Sequence, residues 1–438
     1  MSSPKTPFLA VRQLAERLDE SDRDYDHLLA DVAGRRFVLL GEATHGTKDF
    51  YRMRAAITRR LIAEQGFGAV AIEGDWPDVW RVNRYVQGDG DDAAESALSD
   101  FARFPRWMWR NQEMLEFIVW LRSHNAALPP ARRTGVYGLD LYSLYRSADA
   151  VIRYLEETDP DQAAIARNTY AVLDHVRDPQ TYGLEAAFGL RPSGRAGAVA
   201  QLVQLRKDAS DRVLRAGLAA ADERFFAERN AAVVVNAEAY YRGMFGQRTN
   251  TWNLRDAHML DTLLALSHYR IQRSGEGRVV VWAHNSHLGD ARATESHRRG
   301  EWNLGQLLRE QRGAEAFLVG FTTYTGYVSA ASEWDGDVEH KWVRPALSDS
   351  CEHLFYSSHL DRFFLPLSGY LAEPLRETML ERAIGVIYLP QSERASHYFE
   401  VSLASQFDAV FHIDETTALE PLDIPQLWHE REMAEPIV

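Results

Sequence analysis

The sequence predicts an α/β protein in which a mostly parallel central sheet is flanked by helices, with a large helical insertion. Three observations support this fold class. Short, continuously apolar runs, typical of strands buried on both faces, alternate with amphipathic helical patterns. An ionisable residue follows directly after several of these runs. A long segment in the middle of the chain, by contrast, shows helical periodicity without a convincing strand.

The first third of the chain supplies the first strands of this sheet. Strands are expected at Phe37–Leu40, 69–72 and 134–139, each of them a short apolar run. The helices expected around these strands lie at residues 9–18, 25–32, 48–63, 78–86 and 111–123. Strand and helix follow one another repeatedly, an order that favours parallel strands joined by right-handed crossovers.

The middle of the chain shows a different pattern. From residue 143 to about 273 the periodicity is helical, apart from a loop expected near 178–197. We interpret this segment, which is too long for an ordinary crossover, as an insertion that covers the functional edge of the sheet. The sheet resumes at Val279–Trp282, with later strands expected at 316–320, 362–365, 384–388 and 409–413. The chain is accordingly divided into the first part of the α/β core (1–141), a helical insertion or cap (142–275) and the second part of the core (276–438).

The composition is ordinary for a soluble globular protein. Hydrophobic residues make up 45% and charged residues 26% of the 438 residues, and the net charge is −14. Such an acidic balance argues against non-specific binding to nucleic acid or to an anionic membrane, since both need a basic face, and it leaves open only a local basic patch. The single cysteine, Cys351, precludes an intrachain disulfide, and no signal-peptide core or membrane-spanning apolar run is evident. We expect a cytoplasmic protein, and the oligomeric state stays open.

Ionisable residues follow three of the predicted strands. Glu42 and His45 stand in the turn at residues 41–46, of sequence GEATHG; Glu73 ends the second strand; His284 and His287 follow the strand that resumes the sheet. Because the carboxyl ends of parallel strands lie along one edge of a sheet, these side chains are expected to share a crevice. A carboxylate beside a histidine can hold the imidazole in one tautomer, which suits it to general-base catalysis.

Further candidates surround this group. Arg54, on the helix after the first strand, is expected to fork onto Glu42 or Glu73, because a buried carboxylate needs a compensating cation. The candidates for substrate binding are Trp107, Trp109, Asp140, Arg255 and His258. Two alternatives stay open for them: the aromatic residues could belong to the core, and the charged residues near position 255 could form an exposed ion-pair cluster.

Three functions are compatible with these residues. The first is a hydrolase in which a histidine activates water directly, since no Gly-x-Ser-x-Gly nucleophile elbow is present and Ser286 lacks that context. The second is a metal-dependent hydrolase in which Glu42, His45, His284 and His287 hold zinc or iron. The third is a small-molecule binding protein without catalytic activity. The residues favour the first function, with no cofactor.

Several motifs together resemble the erythromycin esterase family. They are the turn at 41–46, Arg54, Glu73 after its strand, and the sequence HNSH at 284–287, and the similarity extends over about residues 30–420. The resemblance implies hydrolysis of a carboxylic ester, in the family's type case the macrolactone of a macrolide antibiotic, and hence a link to antibiotic resistance. It also implies a metal-independent reaction with His45 as the general base for water. The residues that it places around this base are Glu42, Arg54, Glu73, His284 and His287. The sequence does not identify the ester that this chain cleaves.

Overall fold

The computed structural model describes residues 6–90, 93–173, 178–190, 192–212, 218–246 and 250–423. The strands are β1 (Glu16–Arg17), β2 (Phe37–Leu40), β3 (Ala69–Asp75), β4 (Gly135–Asp140), β5 (Val279–Trp282), β6 (Ala316–Ala330), β7 (Glu339–Val343), β8 (Arg362–Pro366), β9 (Thr378–Arg382), β10 (Tyr398–Ser402) and β11 (Ala409–Thr416). The α-helices are α1 (Pro7–Leu14), α2 (Asp26–Asp31), α3 (Lys48–Gln65), α4 (Trp76–Gln87), α5 (Ala94–Ala97), α6 (Gln112–Ala126), α7 (Leu144–Thr158), α8 (Pro160–Tyr170), α9 (Pro179–Ala187), α10 (Arg195–Arg212), α11 (Leu218–Gly243), α12 (Thr251–Ser274), α13 (Asn285–Leu288), α14 (Glu295–Arg298), α15 (Leu304–Arg312), α16 (Cys351–Tyr356), α17 (Glu393–Ser396) and α18 (Leu403–Gln406). Short 3₁₀ helices lie at Asp22–Tyr25, Arg106–Met108, Pro130–Arg132, Ala291–Ala293, Gly313–Glu315, Tyr370–Arg376 and Pro390–Ser392.

Nine of the described strands form one sheet. Its order is β1-β8-β11-β6-β2-β5-β3-β4, and β7 pairs with the C-terminal end of β6. The six strands from β11 to β4 are parallel to one another, whereas β8, β1 and β7 pair in antiparallel fashion. Strands β9 and β10 form a separate two-stranded sheet. The predicted fold class, a mostly parallel sheet flanked by helices, is confirmed.

The centre of the sheet is apolar on both faces. All residues of β2 and β5 are buried, and the two strands lie in register from Phe37 beside Val279 to Leu40 beside Trp282. Parallel strands are buried in this way because their crossover helices cover both sides of the sheet. The neighbouring strands β2, β5, β3 and β4 therefore end side by side, and the loops that follow them meet at one edge.

The segment between β4 and β5 contains the helices α7 to α12 and, among its described residues, no strand. Its apolar side chains are buried in the same cluster as those of the sheet, so that Tyr170 and Tyr241 belong to one core with Leu39 and Ala71. Helix α12 packs directly onto β3 and β4, and α7 and α11 pack against α4, which follows β3. The division of the chain into domains at residues 142 and 275 stays a prediction.

The prediction of a loop at 178–197 is wrong, because these residues contain α9 and the start of α10. Asp178 caps α9 by accepting hydrogen bonds from the backbone N–H groups of Gln180 and Thr181, and Pro179 occupies the first helical position. An Asp-Pro pair can open a helix as readily as it can form a turn. The sequence pattern alone did not decide between these two structures.

The other errors concern short elements held by distant partners. The prediction of a strand at 384–388 is wrong, because the described structure shows only isolated β-bridges in this segment, such as that between Thr44 and Ile384. The helix expected at 9–18 ends at Leu14, since Glu16–Arg17 pairs with β8. The sequence does not predict β7, β9 or β10, whose pairing depends on other strands rather than on their own apolar content. None of the helices in the described ranges combines the length and the hydrophobicity needed to cross a bilayer.

Candidate active site

The loops at the carboxyl ends of β2, β5, β3 and β4 border a cavity of about 1040 Å³. His45 comes from the turn after β2, Glu73 from the end of β3 and Asp140 from the end of β4, while His284 and His287 come from the turn after β5. All five side chains line the cavity. Residues that are distant in sequence meet here because their strands are neighbours in a parallel sheet.

Two glycines allow the turn after β2 to pack closely against its neighbours. A Cβ atom on Gly41 would lie 2.1 Å from Oδ1 of Asn285, and a Cβ atom on Gly46 would lie 1.9 Å from the carbonyl oxygen of Ser329. Both distances are far shorter than a van der Waals contact, so a larger residue does not fit. The backbone N–H of Asn285 donates to the carbonyl oxygen of Glu42, which joins the turns after β2 and β5.

Glu42 and His45 form a carboxylate–histidine dyad. Nδ1 of His45 lies 2.9 Å from Oε1 of Glu42, and since an ionised carboxylate only accepts hydrogen bonds, Nδ1 carries the hydrogen. In the neutral ring, Nε2 is then unprotonated. Among the described residues Nε2 has no hydrogen-bond partner, and the ring lines the cavity. This arrangement suits a general base.

Arg54 lies behind this dyad and is completely buried. Its Nη2 donates to Oε2 of Glu42 at 2.6 Å. The guanidinium makes this one hydrogen bond to the carboxylate rather than the fork that the sequence suggested, and it stacks instead on aromatic rings. Its central carbon lies 4.4 Å from the ring centroid of Tyr51 and 5.2 Å from that of Trp282. Arg54 thus pairs with Glu42 from the side opposite His45 and gives this buried carboxylate a positively charged partner.

His284 is fixed in the opposite tautomer to His45. Its Nδ1 accepts from the backbone N–H of Ser286 at 3.2 Å, so Nε2 carries the hydrogen and donates to the carbonyl oxygen of Ala43, also at 3.2 Å. Burial, together with the nearby His45, lowers the pKa of His284 to about 3. The ring therefore stays neutral at physiological pH with both nitrogens engaged, 4.9 Å from the His45 ring between centroids. His284 braces the turn that carries His45.

Glu73 connects the two sides of the site. Its Oε2 accepts from the backbone N–H of His284 at 2.8 Å, and its Oε1 accepts from Nη2 of Arg255 at 2.7 Å. Burial alone would raise the pKa of this carboxyl, but the positive charges of His287 and Arg255 outweigh burial and hold the pKa well below its usual range. Glu73 is therefore ionised at neutral pH.

Arg255 reaches the cavity from α12 and makes the carboxylate fork that was expected of Arg54. Its Nε and Nη2 donate to the two oxygens of Asp140, at 2.9 and 2.6 Å. The guanidinium also lies over the ring of Tyr142, 5.0 Å from its centroid. Arg255 is thus held by two strands, since Asp140 ends β4 and Glu73 ends β3, and its remaining surface lines the cavity.

The site contains a second carboxylate–histidine dyad. The two oxygens of Asp256 lie 2.9 and 3.0 Å from Nδ1 of His287. Trp252 stacks on the same ring at a centroid distance of 4.4 Å, with the ring planes 10° apart. The sequence placed Asp256 with Arg255 and His258 in a charged cluster that was either an exposed ion-pair group or part of a site, but it gave no role to Trp252. The available signal was their spacing, since residues one turn apart on a helix share a face.

Two predicted substrate-binding residues lie outside the large cavity. Trp107 lines a smaller cavity of about 220 Å³, and His258 faces α11, where its Nδ1 lies 2.8 Å from Nδ2 of Asn236. Trp109, by contrast, lines the large cavity, and its indole N–H donates to the carbonyl oxygen of Glu73 at 2.9 Å. Sequence periodicity groups residues onto one face of a helix but does not show which face borders a cavity.

The histidines and carboxylates do not form a metal site. In the ranges that the structure describes, no three side chains of His, Cys, Asp or Glu are placed to hold a metal ion. Both ring nitrogens of His284 bond to the protein, and Nδ1 of His45 and of His287 each face a carboxylate. The residues therefore do not fit the zinc or iron set that the sequence allowed.

Fold and site together define an α/β protein with a hydrolase-like centre, in which paired histidines and carboxylates stand at the carboxyl edge of a parallel sheet. Residues 62–416 match the sequence model of the Erythromycin esterase family. Erythromycin esterase type II of Escherichia coli is 22% identical over 326 residues, which cover 71% of this chain and 74% of that protein. YbfO of Bacillus subtilis (strain 168), which is named as a candidate hydrolase, is 21% identical over 431 residues. These residues cover 93% of this chain and 90% of YbfO.

Solved structures of similar fold agree with this match. A succinoglycan biosynthesis protein has a TM-score of 0.76 at 21% identity and covers 94% of this chain and 97% of its own. A mutant erythromycin esterase in its open conformation has a TM-score of 0.67 at 17% identity and covers 97% of this chain and 100% of its own. At these identities the structures show a common fold. With the match over residues 62–416, the chain belongs to the erythromycin esterase family of hydrolases.

Proposed function

We propose that the protein hydrolyses a carboxylic ester by direct attack of water, with His45 as the general base. The observation that carries the proposal is the Glu42–His45 dyad, in which Nδ1 is bound to the carboxylate and Nε2 is left for the cavity. A water molecule at Nε2 gives its proton to the imidazole as its oxygen attacks the ester carbonyl carbon. Glu42 stabilises the imidazolium that forms, and the hydrogen bond from Arg54 holds Glu42 in position.

Arg255 supplies positive charge to the reacting ester. Its guanidinium lines the cavity and is fixed by Asp140 and Glu73, so it needs no rearrangement when the carbonyl oxygen becomes negative. Preorganised charge of this kind, placed where negative charge develops, is usually a large part of catalysis. Arg255 is therefore proposed as the group that stabilises the oxyanion.

Ser286 is a poor candidate for a covalent nucleophile, although its Oγ lies 2.9 Å from Nδ1 of His284. That nitrogen already accepts from the backbone N–H of Ser286, and the pKa of His284 is lowered to about 3 by burial and by His45. So weak a base would not deprotonate a serine hydroxyl at neutral pH. The geometry thus favours water over an acyl-enzyme intermediate.

The cavity suits a bulky and partly apolar ester. Its volume of about 1040 Å³ lies at the upper end of ordinary ligand pockets. The large aromatic residues of its wall include Phe101, Phe104, Trp109, Tyr142, Trp252 and Trp334. We propose a macrolide lactone as the first substrate to test, and a role in antibiotic resistance if it is cleaved. We also propose that the protein acts on a small molecule rather than on nucleic acid or membrane, as its acidic composition suggests, and that it does so in the cytoplasm.

His45→Asn tests the proposal, because it keeps a similar shape and removes the base. A general base typically contributes about a hundred- to ten-thousandfold in rate, so kcat on an ester that the wild type cleaves should fall by at least this amount. Ser286→Ala should retain most of the activity. His268→Asn is the matched control, since His268 is exposed on α12 and lies outside the cavity, with its Nε2 bonded to Gln272. Wild-type turnover by His45→Asn would assign the base to another residue.

A further inference from the structure

The second dyad, Asp256–His287, takes no part in the water activation just described, yet it is as well defined as the first. Nδ1 of His287 donates toward both oxygens of Asp256. Asp256 is fully buried, and its Oδ1 also accepts from the backbone N–H of Leu304 at 2.8 Å. The carboxylate cannot turn away from His287 without leaving a buried N–H unpaired, which is costly. Asp256 therefore holds the ring in one orientation.

The buried charges of the site favour a proton on His287. The carboxylates of the cluster are Glu42, Glu73, Asp140 and Asp256, and its guanidiniums are those of Arg54 and Arg255. The four carboxylates outnumber the two guanidiniums, so a proton on a histidine reduces the excess of negative charge, and His45 has to be neutral to act as a base. Burial opposes a charge on His287, but Asp256 and Glu73 outweigh burial and raise its pKa. The face of Trp252 also favours a cation.

His287 has a hydrogen-bond partner for each of its protonation states. Its Nε2 lies 3.4 Å from Oε1 of Glu73, which can accept from the imidazolium. The same atom lies 3.0 Å from Nη1 of Arg255, which can donate to the neutral ring. The charged and titratable groups that face the ring are thus Asp256 and Arg255 from α12, Glu73 from β3, and His284 from the same turn. Such a ring can release a proton without leaving a buried polar atom unpaired.

We propose that His287 is the general acid that protonates the departing alcohol oxygen, and that Asp256 and Trp252 are positioning residues that hold it for this step. The inference rests on the proposed ester hydrolysis. His287 and Trp252 line the cavity, whereas Asp256 acts only through His287. The site then divides acid and base between two dyads: Glu42–His45 takes a proton from water, and Asp256–His287 gives one to the leaving group.

The protons and bonds balance over the cycle. His45 takes a proton from water, and the water oxygen bonds to the carbonyl carbon to form a tetrahedral intermediate with a negative oxygen. When the carbonyl re-forms, the bond between this carbon and the alcohol oxygen breaks, and the alcohol oxygen takes the Nε2 proton of His287. A carboxylic acid and an alcohol leave the site. His45 has gained one proton and His287 has lost one, and exchange with solvent restores both.

The test compares two esters that share an acyl group, ethyl butyrate and 4-nitrophenyl butyrate. Ethoxide leaves poorly unless it is protonated, whereas nitrophenolate leaves without a proton. His287→Asn should therefore lower kcat on the ethyl ester by about a hundredfold or more while keeping most of the activity on the nitrophenyl ester. Asp256→Asn should also lower kcat on the ethyl ester more than on the nitrophenyl ester, but by a smaller factor than His287→Asn does. It should also move the alkaline limb of the kcat–pH profile to lower pH, because the imidazolium loses its counter-charge.

Asp414→Asn is the matched control, because Asp414 pairs with His412 at 3.1 Å in a second Asp–His pair outside the cavity. This variant should leave the ratio of the two rates at its wild-type value. Equal losses on both esters in Asp256→Asn would overturn the roles given to Asp256 and His287 and leave His45 as the base. A wild type that cleaves neither butyrate nor erythromycin would overturn the proposed function together with this inference.

A second measurement does not depend on turnover. Titration of the ring nitrogens by ¹⁵N NMR, with the His287 signals assigned from the spectrum of His287→Asn, gives the pKa of His287 in the folded protein. In Asp256→Asn this pKa should be lower than in the wild type, and dispersed spectra would show that the variant is folded. An unchanged pKa would mean that Asp256 does not hold the proton on His287, and the proposal would fail.

Discussion

Arg54 balances the buried charge of Glu42 with one short hydrogen bond and two aromatic faces. Its Nε and Nη1 have no hydrogen-bond partner in the part of the chain that the structure describes, so the rings of Tyr51 and Trp282 compensate for their burial. A guanidinium suits this environment because it is flat and weakly hydrated, whereas an ammonium is compact and strongly hydrated. The charge of Glu42, and through it the orientation of His45, depends on this arrangement.

Arg54→Met should therefore destabilise the protein strongly, because it leaves Glu42 buried without a counter-ion. Loss of one partner of a buried pair costs about 3–5 kcal/mol in the free energy of unfolding. Arg54→Lys should lose a smaller part of this stability and much of the activity. Arg60→Met is the control, since Arg60 forms partly exposed pairs with Glu64 on the same helix and with Asp26 on α2, and the loss of such surface pairs should change stability by about 1 kcal/mol each at most. Denaturant unfolding and kcat on one ester measure both effects, and full activity in Arg54→Lys would remove Arg54 from the site.

Glu381 is a second buried acid, and it lies behind the turn after β5. Its oxygens accept from Nδ2 of Asn285 at 3.0 Å and from Nε2 of Gln406 at 2.7 Å. Burial, with a contribution from Glu352, raises the pKa of Glu381 to about 8. An unfolded glutamate titrates near about 4.3. The stability that this raised pKa contributes is therefore fully present below about pH 4.3 and is lost as the pH rises through about 8.

Glu381→Gln should remove this pH dependence, because glutamine resembles the protonated acid. Oε1 of Gln406 has no hydrogen-bond partner among the described residues, so a flipped amide can accept from the new side chain. We expect the Tm of the variant to exceed that of the wild type by an amount that grows from about pH 5 to about pH 9. Calorimetry across this range measures the difference. A difference that is independent of pH would show that folded Glu381 has an ordinary pKa.

At the scale of elements, the turn after β2 depends on close contact with other backbone segments. The carbonyl oxygen of Ser329 stands where a Cβ on Gly46 would be, and the backbone N–H of Ser329 donates to the carbonyl oxygen of Gly46. The end of β6 is thus fastened to the turn that carries His45. A displaced turn would move His45 away from the cavity wall without changing any catalytic side chain.

Gly46→Ala should therefore lower both stability and activity. Large losses from single substitutions, of about 4 kcal/mol or more, arise when backbone has to move to relieve a clash. Gly246→Ala is the control, because a Cβ on Gly246 would meet its nearest neighbour at an ordinary 3.6 Å. Denaturant unfolding and kcat on one ester measure the two changes. Wild-type values in Gly46→Ala would show that the turn can shift at no cost.

At the scale of the whole molecule, the site works through hydrogen-bonded pairs rather than through shared ligands. Each histidine has at least one nitrogen bound to a protein group, and in the described ranges no metal-binding set of three is present. We expect dialysis against a chelator to leave kcat unchanged, and added zinc to cause no gain. Loss of activity on chelation with recovery on zinc addition would instead make the histidines ligands and a bound water the nucleophile.

Much of the fold could be predicted from local patterns. The strands β2 and β5 coincide with their predicted ranges, and β3, β4, β8 and β11 differ from theirs by a few residues at one end or both. These strands are continuously apolar because both faces of a parallel sheet are covered. The short strands β7, β9 and β10 were not predicted. They are strands because they pair with neighbouring strands, and their own residues carry little strand signal.

What the sequence determined by itself is the edge of the sheet where the site lies. Apolar runs followed at once by Glu42, Glu73 and His284 place ionisable groups at the ends of parallel strands, and the topology of such a sheet brings these ends together. The position of this edge follows from the periodicity of apolar residues and from the rule that parallel strands end on the same side of a sheet. No particular contact between side chains has to be known.

Only the tertiary structure decided how the groups of the site are paired. Arg54 bonds to Glu42 alone, Arg255 makes the fork onto Asp140, and Asp256 holds His287. The tautomers of the histidines likewise follow from their partners, which for His284 are backbone groups of two different turns. These pairings depend on how α3 and α12 pack against the sheet over long sequence separations, and hydrogen-bond geometry is set by that packing rather than by residue spacing.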